Sequence, residues 1–168
     1  MAIIINGANT GGAKIVGLQV ANGTTITGTT SATKSATITI PANTLQTNSI
    51  LEMVWTCVRS SGTANTIQSQ AYVNTSDTLT GATQIALGAN MTGTQYNVKC
   101  GRDIQKLNTS CQIMQVTQFA SDYSITSGVP ATFTLNNSST VYFIFACLNL
   151  SAADASYINK IRITEYNL

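Results

Sequence analysis

The chain has 168 residues, enough for one domain of ordinary size and for a core that closes without staples. Only 8% of it is charged, with eight basic and six acidic residues and a net charge of +2, while Thr, Ser, Asn and Gln make up about 40%. This excludes a charge-rich disordered chain and a Glu/Lys coiled coil, and it argues against binding to a phosphate backbone.

The first 31 residues differ from the rest. Gly7, Gly11, Gly12, Gly17, Gly23 and Gly28 lie there, half of the chain's twelve glycines, with short apolar patches at 3–5 and 15–20. So few large side chains cannot offset the entropy lost on ordering. Residues 1–31 are therefore expected to form an extended N-terminal arm that orders against a partner. Its anchors would be Ile3, Ile4, Ile5, Ile15, Val16 and Leu18. A disordered tail is the alternative.

Residues 32–168 read as one β domain. Residues 35–40 alternate small or apolar side chains with Thr, and Pro41 stops that strand. A long strand at 50–59 contains Trp55, whose bland reading is core packing. Period-two patterns continue at 67–74, 84–87, 95–107, 111–117, 131–135 and 140–148, the last being the most apolar and so the most central. Residues 157–166 close the series, with Ile158, Ile161 and Ile163 facing inward. The change of parity between 158 and 161 requires a bulge. Residues 151–156 offer one turn of helix at most. The expected fold is all-β: an antiparallel β-sandwich or jelly roll of about eight or nine strands.

No stretch approaches the ~20 apolar residues of a spanning helix. The start has no basic region before its short apolar run. Synthesis in a cytoplasm without standard export is the expectation. Cys57, Cys100, Cys111 and Cys147 could pair in three ways, but in such a compartment they read as small buried hydrophobes.

The catalytic inventory is thin. The absence of histidine removes Ser-His-Asp and Cys-His constellations and His metal ligands. The cysteine spacings match no zinc site. No metal, cofactor or catalytic residue is expected. Among six acids, Glu52 and Asp103 both lie on strands and could converge as a glycosidase pair does, but their spacing does not say so. Arg59, Lys99, Arg102 and Lys106 lack an aromatic stacking platform, a weak case for nucleic acid. Tyr96, Asn97 and Tyr123 fall in loops, where aromatic and amide groups suit a glycan.

The segment 35–53, SATITIPANTLQTNSILEM, resembles a recurrent pattern of tailed-phage virion proteins: a strand ending IPANTL, a polar loop, then a long strand. Residues 71–83, AYVNTSDTLTGAT, are similar to a second element of that group, and the stretch from Ala152 to Tyr166 is similar to its ending. The resemblance spans residues 34–166 and rests on structural motifs. It implies a non-enzymatic capsid decoration, head-fibre or tail-fibre knob protein at the virion surface. Such a protein would be a jelly roll, commonly trimeric, held to other virion proteins through its arm. A lectin-like module that recognises a bacterial surface glycan is the alternative. Neither reading involves nucleic acid or membrane insertion.

Overall fold

The computed structural model describes residues 12–114 and 132–167. Within them the backbone forms ten strands: β1 (Ala13–Gln19), β2 (Thr33–Ile40), β3 (Asn48–Ser61), β4 (Ile67–Asn74), β5 (Thr83–Met91), β6 (Asn97–Leu107), β7 (Ser110–Met114), β8 (Thr132–Thr134), β9 (Val141–Asn149) and β10 (Ala155–Asn167). Among the described residues there is no helix, and so none long and apolar enough to cross a membrane.

Alternation decides the layers. Along β3, Leu51, Met53, Trp55 and Cys57 are fully buried, while Ile50, Glu52, Val54, Thr56 and Val58 between them are half-buried. One face must therefore meet a second sheet. The strands assort into a six-stranded sheet, β1-β10-β3-β6-β7-β8, and a four-stranded sheet, β2-β9-β4-β5. All pairings between named strands are antiparallel. The result is a β-sandwich of the jelly-roll kind, as expected. β9 is central in its sheet, and Phe143, Phe145 and Cys147 enter the core between the layers. Trp55 is buried too, its ring 5.4 Å from that of Phe145, and its Nε1 donates to Ser69 Oγ at 3.1 Å. The four cysteines are buried free thiols.

The bulge in β10 is present. Register shifts between Asn159 and Arg162, Lys160 has φ +51°, and Ile158, Ile161 and Ile163 all reach the core. Nine strands lie beyond residue 32, close to the number expected.

The tenth corrects the expected arm. Residues 13–31 do not stand apart from the sandwich, so the boundary at 31 is misplaced. β1 pairs along β10 from Ala13↔Tyr166 to Gln19↔Ile161, and Val16 is wholly buried in the core. Gly17 permits this closeness: a Cβ there would lie 2.4 Å from Ile38 Cγ2. The next segment is stitched down by Gly23 N to Ile158 O at 2.8 Å, Ile26 N to Ser156 O at 2.7 Å and Gly28 N to Ala152 O at 3.2 Å. Gly23 serves close packing, since a Cβ there would lie 2.5 Å from Ser35 O, whereas Gly28 takes a φ of +71°, and Ile26 is buried between them. Of the six expected anchors, Val16 is core, while Ile15 and Leu18 are half-buried on the sheet. Ile3, Ile4 and Ile5 lie outside the described residues.

Candidate functional site

The half-buried face of the six-stranded sheet carries the densest chemistry. Register places its outward residues in rows. Leu18, Arg162, Val54 and Gly101 form one, and Ile15, Thr164, Glu52 and Asp103 form the next. Tyr166 and Ile50 lie beyond these on one side, and Thr56 and Lys99 on the other. A free antiparallel face is usually polar. Here Ile15, Leu18, Ile50, Val54 and Val58 interrupt it with aliphatic side chains.

Two adjoining depressions mark this face. One, of about 180 Å³, is lined by Glu52, Val54, Lys99, Gly101, Asp103 and Arg162. The other, of about 370 Å³, shares Val54, Lys99 and Arg162 and extends over Leu18, Val20, Thr56 and Lys160. Five of the chain's fourteen charged side chains therefore line one continuous groove. In a chain so poor in charge, that concentration distinguishes this surface.

Glu52 and Asp103 are direct cross-strand partners. The Glu52 carboxylate accepts from Arg162 Nη2 and from the Tyr166 hydroxyl, both at 3.2 Å to Oε2. Asp103 is held above the ordinary carboxylate range, first by burial and then by the Glu52 charge, with Arg102 opposing. Side by side stand carboxylate acceptors, Lys and Arg donors and an aliphatic floor. Such a set can hydrogen-bond hydroxyl groups or seat a mixed polar and apolar protein surface. Among the described residues no group of three His, Cys, Asp or Glu is placed to hold a metal ion.

Three of the four basic residues considered for nucleic acid are structural instead. Arg59 is sealed in the core, 3.0 Å from Asp154 Oδ1, and it donates to the carbonyls of Gly62, Asn65, Met91 and Gln95. Asp154 in turn accepts from the amides of Ala64 and Asn65. Lys106 is buried and donates to Gln46 O at 2.8 Å and to the Asn108 carbonyl, while Glu165 accepts from Gln46 N at 2.7 Å. Arg102 is 3% exposed. Only Lys99 reaches the surface.

Of the expected glycan contacts, Tyr96 is 56% exposed in the turn before β6, and its carbonyl accepts from Arg59 N at 2.8 Å. Asn97 is exposed and opposes Val58, so it shares the outward face with Lys99. Tyr123 lies outside the described residues. The structure thus brings Asn97 to the groove's sheet and leaves Tyr96 at its end. The structure brings Glu52 and Asp103 together, which the sequence allowed without specifying, and adds Arg162, which sequence reasoning missed because strand order and register are needed to see it. The period-two placing of Glu52, Val54 and Thr56 was the only local signal of this grouping.

No protein-family profile and no curated protein matches this chain. Among solved structures it is similar to the crystal structure of SCLam, a non-specific endo-β-1,3(4)-glucanase from family GH16, at 9% identity and a TM-score of 0.36. That likeness covers 79% of this chain, which spans 63% of that chain's length. The sandwich described above rests on strand pairing and burial, and so remote a likeness transfers no activity.

Proposed function

We propose that this chain is a non-enzymatic structural protein of a bacteriophage virion, a capsid decoration or head-fibre or fibre-knob subunit. The observation that carries this reading is the groove-bearing outer face of the six-stranded sheet. Aliphatic side chains stand there among five of the chain's few charges, a composition suited to contact with a neighbouring subunit. The sequence resemblance supports it, because segment 35–53 supplies most of β2, its turn and the first part of β3, one strand in each sheet. Among the described residues β1 ends the six-stranded sheet with one side unpaired, and in sequence it is preceded by residues 1–11, with Ile3, Ile4 and Ile5. An attachment segment preceding β1 would suit this reading, because a sheet edge can accept another chain.

The test is the mass of the purified protein by light scattering, followed by antibody labelling of intact particles. A mass near three protomers that drops in Val54→Lys, with label on the virion surface, is expected. A monomer indifferent to that substitution and absent from particles overturns the reading. A second reading, lectin-like binding of a bacterial surface glycan, is favoured by the acceptors and donors lining the groove. Glycan-array binding lost in Lys99→Ala and in Asn97→Ala would select it.

A further inference from the structure

Cys57 lies on β3 and Cys147 on β9, so the two belong to opposite sheets. Both are fully buried, and their sulfurs face one another across the core at 4.0 Å. Two residues earlier on each strand, Trp55 meets Phe145. The aromatic pair and the thiol pair are successive rungs between the layers, and residues in such rungs have little freedom to turn away. We propose that Cys57 and Cys147 are an oxidisable pair that closes a covalent crosslink between the two sheets of the sandwich.

Closure brings the sulfurs together by about 2 Å, to the ~2.05 Å of a disulfide. The two thiols are not equivalent. Either thiol can donate to the other; this contact and burial hold Cys57 well above the ordinary thiol range, while contacts with Cys57, Ser156 and Ser35 draw Cys147 below it. The step can begin at Cys147, which also meets the Ser35 and Ser156 hydroxyls, and its balance is the same with the two sulfurs exchanged. With hydrogen peroxide, an oxidant small enough for a closed core, the Cys147 sulfur attacks one peroxide oxygen. The O–O bond breaks, and the departing hydroxide takes the thiol proton as water, leaving a sulfenic acid. The Cys57 sulfur then attacks that sulfur. The S–S bond forms, the S–O bond breaks, and the leaving hydroxide carries off the Cys57 proton as a second water. Two thiols lose two electrons, and one peroxide becomes two waters.

Cys100 and Cys111 serve as internal controls. Cys100 contacts Ser69 Oγ at 3.2 Å, and burial pushes the Cys111 thiol up to about 11. A cytoplasm keeps such a pair reduced, whereas oxidising surroundings outside the cell favour closure. That timing rests on the virion reading, while the chemistry of the pair does not.

The experiment treats the full-length reduced protein with hydrogen peroxide, then denatures and alkylates it. Two of the four thiols should be lost, with a single Cys57–Cys147 crosslink after proteolysis and mass spectrometry. Tm should rise by roughly 5–10 °C and fall back on addition of a dithiol reductant. Cys147→Ser should abolish the loss, and Cys100→Ser should leave it intact. Four alkylatable thiols after treatment, or a crosslink between any other pair, overturns the proposal. Mapping of the unsubstituted chain decides it even where a variant does not fold.

Discussion

Asp154 shows how much one side chain can hold. Its two oxygens satisfy Arg59 and the amides of Ala64 and Asn65, tying the β9–β10 turn to the loop after β3. Truncation to Ala leaves a guanidinium buried without its counter-charge, a loss of about 3–5 kcal/mol. Asp154→Ala should lower the urea midpoint accordingly with the slope unchanged, and a midpoint within error of the parent would contradict this account. Asp103 works in the opposite sense. Burial and then Glu52 oppose its charge, so the folded chain keeps the proton to higher pH than the unfolded chain, whose ordinary value is 3.8. As pH rises from 3.8 through the folded value, the unfolded chain gives up the proton first, and stability falls across that window. Asp103→Asn should therefore gain on the parent at about pH 7 and lose that gain below 3.8. Urea midpoints at about pH 3 and pH 7 test this, and an equal difference at both would refute it.

At the scale of elements, β1 separates two meanings of an N-terminal extension. Removing residues 1–11 leaves every described pairing in place. That variant should fold with the Tm of the parent, and on the virion reading proposed above it should lose its hold on neighbouring subunits. Removing residues 1–31 strips the β1–β10 ladder, empties the site of Val16 and uncovers Ile163 and Ile38. It should yield insoluble or unfolded protein, read by circular dichroism. A stable, soluble product lacking 1–31 would restore the arm as first expected. The error was instructive. The nine later strands were legible because Thr and aliphatic residues alternate along them and Pro41 or polar turns bound them. β1 was not, because Gly17 interrupts its alternation and a register shift between Ile15 and Gly17 changes its parity. Gly17 does not mark a lack of core; it lets the two sheets approach.

For the whole molecule, class was legible and arrangement was not. Buried Trp55 and the bulge after Ile158 follow from local pattern, since each depends only on neighbours in sequence. The groove does not, because Leu18, Arg162, Val54 and Lys99 come from four strands whose order no local pattern encodes. The pairing Ala13↔Tyr166 carries a further consequence, for the ribosome. β10 is the only named strand that pairs with β1, and it is the last of the described strands to be made. At ~5–20 residues per second the early segment waits roughly 10–30 s for it. Until then β3 also lacks its β10 neighbour, and Ile26 has no Ser156 to bridge. Completion of this sheet is thus set to wait for β10 rather than to begin with β1. A message cut short before codon 155 yields a chain whose first strand lacks its β10 partner, and that exposed edge marks it for proteolysis.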